Sequence, residues 1–294
     1  MARKQDLVIL GFLVGLLVVF ALLLGFLLRS REVEVVSEGG GGERVGLVEL
    51  RGVIVNAEPI VRQLERFRKD RGIRAVVLRI DSPGGGVAAS QEIYQAARRV
   101  RESGKPIVCS MGSVAASGGY YVALGCSKIV ANPGTTTGSI GVIAEIPNFQ
   151  KLLARLGIEV SVVKSGQHKD IGSPYRQMTE DERKLLQEWI DDAYNQFVQV
   201  VAAERSLDEG RLRELADGRV FTGRQAYQLG LVDTLGTFAD AVGLAAKLAG
   251  IRGEPRLVRI PPRRLGWLEL LLGSLGSVRE LARPWPRLKY QWAG

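Results

Sequence analysis

AVVLRIDSPGGG (Ala75–Gly86) and PIVCSMGSVAASGGYY (Pro106–Tyr121) decide the fold. Each begins as an apolar run of strand length, Ala75 to Ile80 and Pro106 to Met111, and then breaks into a glycine-rich turn. Short apolar runs closed by turn residues read as strands buried on both faces. Between them, Val87 to Ser103 follows a helical pattern. A strand, a helix and a second buried strand form the repeating unit of a layered α/β protein with a parallel sheet. Both glycine turns then open at carboxyl ends of strands, where such sheets bind ligands.

The pattern extends in both directions. Upstream lie a strand at Val45 to Val55 and a helix at Pro59 to Lys69. Downstream come a helix from about Ser117, a strand at Lys128 to Ala131, a helix near Pro147 to Leu156 and a strand at Glu159 to Lys164. Thr179 and Glu182 make a capping box for a long helix ending near Arg205, followed by two or three shorter helices to about Gly250.

The two turns also hold the chemistry. Gly84 to Gly86 can present bare backbone N–H groups to an anion. No Gly-x-x-x-x-Gly-Lys-Ser/Thr or Gly-x-Gly-x-x-Gly motif makes them a phosphate cradle, and an oxyanion hole needs the same geometry. Ser117, between an alanine and two glycines, reads equally as a helix N-cap and as an uncrowded nucleophile. A nucleophilic serine needs a base, and the single histidine, His168, is followed directly by Lys169. A Ser-His reading requires His168 inward with an acid behind it, whereas a Ser-Lys reading requires Lys169 inward in a dry site. Local sequence leaves that choice open. Cys109 and Cys126 match neither a metal spacing nor a disulfide framework.

The ends of the chain differ from its middle. Leu7 to Leu28 has no charged or polar side chain, which is enough for a helix to cross roughly 30 Å of hydrocarbon. It is too long for a signal-peptide core, and Arg29 and Arg31 follow it in place of a small-residue cleavage site. We read residues 1–31 as a retained anchor with a cytoplasmic amino terminus, residues 32–43 as a flexible linker, residues 44–250 as the catalytic domain, and residues 251–294 as a basic tail. Arg263 to Arg283 has the apolar spacing of an amphipathic helix. Of the net charge of +9, the anchor region holds +3 and the tail +6, so the middle is neutral. A neutral middle argues against nucleic acid, and basic ends favour anionic lipid.

Five stretches in this order resemble the short form of the bacterial signal peptide peptidase A family: Asp81–Gly86 (DSPGGG), Met111–Tyr121 (MGSVAASGGYY), Thr137–Val142 (TGSIGV), Lys164–Pro174 (KSGQHKDIGSP) and Asp217–Val220 (DGRV). The resemblance implies a caseinolytic protease/crotonase-like α/β fold and a membrane serine protease, single-pass, with its catalytic domain outside the cytoplasm. It further implies a ring-shaped homo-oligomer, no cofactor or metal, and cleaved signal peptides among its peptide substrates. Carried over by position, Ser117 is the nucleophile, Lys169 the general base, Ser139 the residue orienting that lysine, and Gly85 and Gly118, with Gly84 beside them, the oxyanion donors. Lys164 is a rival base. With only one set of motifs in the chain, the serine and lysine could come from different subunits. Two readings compete: an ester or thioester hydrolase using Ser117 and His168, and a noncatalytic membrane scaffold whose glycine turns serve packing.

Overall fold

The computed structural model describes Gly15, residues 42–260 and, through their backbone, Val36–Glu38 and Lys289–Gln291. The chain divides into two compact units. The first, Met1–Val36 with Ile260–Pro262, is almost wholly outside the described residues, as are the expected membrane segment Leu7 to Leu28 and the amphipathic stretch Arg263 to Arg283. Among the described residues no helix is long and apolar enough to cross a membrane.

The second unit is built on a nine-stranded sheet. Its main path runs β1 (Val36–Glu38), β10 (Arg256–Arg259), β2 (Arg44–Arg51), β3 (Ile73–Ser82), β5 (Ile107–Ala116), β6 (Lys128–Ala131) and β9 (Thr234–Leu235). Two short strands, β7 (Thr136–Gly138) and β8 (Val220–Thr222), extend it beside the end of β5. The ladders from β10 to β9 are parallel; β7 and β8 pair antiparallel.

Helices cover both faces, which explains why β3 and β5 read as unbroken apolar runs. On one face Val45, Leu47, Ala75, Val77, Val108 and Val130 form a buried cluster with Ala241, Ala245 and Ala246 of α8 (Phe238–Leu248). The other face receives α1 (Glu58–Lys69) and α2 (Val87–Glu102), with Leu64, Phe67, Ile93, Ala97 and Val100 buried. Lys105 closes the carboxyl end of α1 by donating to the carbonyls of Phe67, Arg68 and Asp70, satisfying acceptors that a helix end leaves open.

The capping box of the long helix forms as expected on Thr179 and Glu182, and α5 spans Glu180–Arg205. Its second half is anchored. Phe197 is fully buried and meets the Tyr121 ring edge-on at 5.0 Å, Tyr121 meets Tyr94 in the same way, and Glu204 accepts from Tyr94 and from both terminal nitrogens of Arg101. Arg205 pairs with Asp233 at 2.9 Å. The first half projects away from the core with Leu185 and Trp189 exposed. Two short helices follow α5: α6 (Glu209–Leu215) and α7 (Gly223–Gln228).

Several expectations change. The second glycine-rich stretch is not a turn from Gly112, because β5 continues to Ala116 alongside β7. β2 ends at Arg51; Gly52, at φ 69°, turns the chain, and Ile54 makes only an isolated bridge to Gly85. The helix expected near Pro147 to Leu156 is the shorter α4, Gln150–Arg155. Glu159 to Lys164 is not a strand. Its Ile158, Val160 and Val162 alternate as a strand's would, but no neighbouring strand offers its backbone a ladder, and all three side chains are half exposed.

Candidate active site

Ser117 joins the end of β5 to the short helix α3 (Gly118–Ala123). Its backbone sits at φ 53° and ψ −116°, a region that a non-glycine residue occupies only when its surroundings force it. Those surroundings are visible: Ser117 N–H donates to Gly138 O at 2.8 Å, and Ser117 O accepts from Tyr121 N at 2.8 Å. The side chain makes no cap hydrogen bond to the helix it precedes. Its hydroxyl is therefore not spent on the N-cap role that local sequence made equally plausible. The residue is 1% exposed, in a pocket of small neighbours.

Ser139 lies one step beyond β7. Because Ala116 pairs with Gly138 in the parallel β5–β7 ladder, the residues that follow on each strand, Ser117 and Ser139, leave it side by side. Ser139 also has a positive φ, 49°, and its N–H donates to Arg219 O at 2.8 Å. Thr137 and Thr135 donate from below to the carbonyls of Ala115 and Gly112, holding the two strands together beneath the serines.

The first glycine stretch forms β4, Gly84–Gly86, which lies against α3. Gly84 adopts φ 100°, and a Cβ on Gly85 would collide with the backbone of Ile54. Only glycine fits both positions. On one side Gly84 O accepts from Ile54 N at 2.8 Å, and Gly86 N–H donates to Ile54 O at 2.7 Å. Backbone groups alternate sides along a strand, so the N–H and C=O of Gly85 face the opposite way. There β11, Lys289–Gln291, pairs antiparallel with β4, placing Tyr290 opposite Gly85. From sequence, Arg287 to Gly294 could be expected to occupy a groove, but not this strand pairing, since three residues near the end of the chain carry no strand signal of their own.

The structure thus brings Ser117, Ser139, Gly118, Gly84 and Gly85 into one neighbourhood. Lys169 is elsewhere. It lies with His168 in an exposed, turn-rich loop, and no described hydrogen bond joins either residue to Ser117. Lys164, the rival base, is committed within that loop: it donates to Asp170 at 2.5 Å and to Gln167 O at 2.8 Å. Arg176, which sequence reading passed over, grips Asp170 side-on with two contacts of 2.8 Å and also donates to Glu182. The guanidinium of Arg176, helped by Lys164, holds the Asp170 carboxyl well below the usual carboxylate range, and Arg176 first of all brings Glu182 down to about 2. The two cysteines are buried and form no disulfide, and burial pushes the Cys109 thiol up.

A cavity of about 450 Å³ opens beside Ser139, lined also by Val142, Ile143, Ile190, Tyr194 and Gly218. A buried, strained serine beside a glycine strand and a mostly apolar hollow can perform acyl transfer if a base reaches it.

Comparison with known proteins agrees. The profile described as peptidase family S49 matches residues 99–252, and that of Clp protease matches residues 54–136. A candidate protease of Synechocystis sp. is 46% identical over 211 residues, 71% of this chain and 76% of that protein. The candidate signal peptide peptidase SppA of Enterococcus faecium is 38% identical over 71% of this chain and 64% of its own length. Protease 4 of Haemophilus influenzae is 32% identical over 72% of this chain, a match spanning 36% of that longer protein. The Clp protease match covers the strands that carry Ser117 and the glycine strand, the S49 match covers more than half of the chain including both serines and the lysine loop, and on these grounds the chain belongs to peptidase family S49 and is a serine protease.

Proposed function

We propose that this protease is a membrane-anchored endopeptidase that hydrolyses extended apolar peptides, cleaved signal peptides among them, with Ser117 as nucleophile and Lys169 as general base. The carrying observation is the pairing of β11 with β4: the glycine strand beside Ser117 takes up an extended stretch of polypeptide as an added strand. A scissile peptide laid on the same edge directs a backbone carbonyl toward the Gly85 N–H. Lys169 removes the Ser117 proton, the alkoxide attacks that carbonyl, and the oxyanion is held by the N–H groups of Gly85 and Gly118. Lys169 then returns the proton to the leaving amine and later activates water against the acyl-enzyme. Ser139, beside Ser117, is placed to orient the lysine amine.

An amine serves as a base only where water is excluded. Lys169 is exposed in the single chain, so the complete site forms between subunits of a homo-oligomer, with the lysine loop of one copy covering Ser117 of the next. The exposed apolar residues around that loop, Leu156, Val160 and Val163 among them, provide the surface for this contact. Leu7 to Leu28 anchors the assembly, with the catalytic domain on the extracytoplasmic side.

The test is labelling of the purified full chain with a fluorophosphonate probe. Wild type and His168→Ala label, while Ser117→Ala and Lys169→Ala do not. Labelling lost in His168→Ala but kept in Lys169→Ala would replace this reading with a serine-histidine esterase. Truncation before Arg287 clears the tail from the glycine edge and raises the labelling rate several-fold; an unchanged rate removes the tail as an occupant of that edge.

A further inference from the structure

The loop that carries Lys169 has little packing to hold it. Residues 159–169 are all exposed, and the turns within the loop are local: Lys169 N–H to Gly166 O, Ile171 N–H to His168 O, Ser173 N–H to Asp170 O. A catalytic lysine on such a loop needs something rigid to define its position. The rigid element nearby is α5, whose first turn is closed by the Thr179–Glu182 capping box. Among the described residues, every side-chain hydrogen bond linking Lys164–Ser173 to that helix passes through Arg176.

We infer that Arg176 is a positioning residue for Lys169, its guanidinium forking between Asp170, the next residue along, and Glu182 on α5. This rests on the assignment of Lys169 as the base. The geometry uses most of what an arginine offers. Nε and Nη2 take the two Asp170 oxygens at 2.8 Å each, Nη1 takes Glu182 Oε2 at 2.7 Å, and Nη1 also reaches Gln177 O at 3.1 Å. Glu182 is 3% exposed and also accepts from Thr179 N–H at 3.0 Å, so one end of the clamp is part of the helix start. The other end is fixed by Lys164, which shares Asp170. From the α4 side two neutral side chains reach the neighbouring backbone: Asn148 donates to Arg176 O, and Gln150 accepts from Gln177 N–H. The charged groups whose ion pairs form the clamp are Lys164, Arg176, Asp170 and Glu182, two cations against two anions. Asp170, flanked by two cations, does not present Lys169 with an uncompensated carboxylate, which would favour the ammonium over the amine.

Two consequences separate positioning from mere support. Without the fork Lys169 loses its placement, and displacement of a reacting group by about 1 Å costs up to ~100-fold in rate. Without the positive charge, the surplus carboxylate moves the rising limb of the rate against pH to higher pH.

The experiment follows fluorophosphonate inactivation of the full chain from pH 6 to pH 10. Arg176→Gln lowers the maximal inactivation rate about 10- to 100-fold with the probe's half-saturation within about twofold, and its rising limb moves to higher pH. Arg176→Lys keeps the charge but cannot fork two carboxylates, so its limb stays at the wild-type pH while its rate stays low. A wild-type rate and limb in Arg176→Gln overturns the inference. If Arg176→Gln shows no cooperative unfolding transition, Glu182→Gln, which retains an N3 side chain able to cap, carries the test: a lowered rate supports the clamp and a wild-type rate removes it. Lys169→Ala in parallel separates the two failures. Normal inactivation of that variant sinks the base assignment itself, whereas its silence alongside an unaffected Arg176→Gln sinks the clamp alone.

Discussion

The part of the chain that holds Ser117 and the part that holds Lys169 are built on opposite principles. Ser117 follows β5, a strand paired on both sides, and precedes a helix whose Tyr121 packs against Tyr94 and Phe197, with every residue from Gly118 to Ala123 buried. The Lys169 region, from Phe149 to Trp189, contains ten of the fifteen large apolar side chains that are exposed among the described residues, and its loop is tied to α5 by the ion pairs of Arg176 with Asp170 and Glu182. Van der Waals packing is short-ranged and dense, so it holds the first region in one geometry. Ion pairs near the surface define a geometry only through specific forks. On the roles proposed above, a strained nucleophile is built into the core, whereas a base that a neighbouring copy would complete stays accessible.

The largest expected effect strikes the first region. Phe197→Ala removes a fully buried ring and destabilises the domain by about 3–5 kcal/mol, read as a fall in the denaturant midpoint. A loss below about 1 kcal/mol would show that this aromatic stack does not support Ser117. Next, Gly85→Ala forces a methyl against Ile54 and displaces the proposed oxyanion donor, lowering peptide hydrolysis about 100- to 1,000-fold. Retained activity would move the oxyanion site away from β4.

Acid distinguishes the two regions more gently. Glu182 has its folded-state value lowered to about 2, from an ordinary value near 4.5, by the Arg176 guanidinium. Its stabilising contribution is thus complete above about pH 4.5 and disappears as pH falls toward 2. Between pH 5 and pH 3, the amide protection factors of residues 164–178, taken relative to the intrinsic exchange rate at each pH, should fall roughly tenfold while those of β3 and β5 are kept; equal loosening of both would erase the distinction. The smallest effect belongs to Val162→Asp, an exposed position whose substitution changes domain stability by no more than about 0.5 kcal/mol. The same change should weaken self-association in sedimentation, sharpening the view that this apolar surface is kept for a partner copy.

The sequence made the packed region legible and the exposed one only partly so. Ala75 to Ile80 and Pro106 to Met111 could be recognised because strands buried on both faces must be apolar throughout. Thr179 and Glu182 could be recognised because a capping box is a local rule. Glu159 to Lys164 misled because alternation records a wish to be covered on one side and cannot record whether a strand is present to pair with it. β7, Thr136–Gly138, was too short to see, yet it sets Ser139 beside Ser117. The backbone strain at Ser117 depends on Gly138 O, twenty-one residues away, and the hub at Arg176 depends on Asp170 and Glu182, each six residues distant. Neither spacing follows a helical or strand period, so no local pattern announced them.

β4 has no side chains at all. A guest that lies along Gly84, Gly85 and Gly86 is recognised by its amides, which every amino acid shares, and recognition of that kind is nearly blind to spelling. What it detects is whether those amides are unoccupied. Folded proteins have theirs engaged in their own helices and sheets, while a severed or unravelled segment does not. On the function proposed above, an edge made from three glycines would sort polypeptides by their state of order, sparing intact neighbours while remaining open to debris of almost any composition.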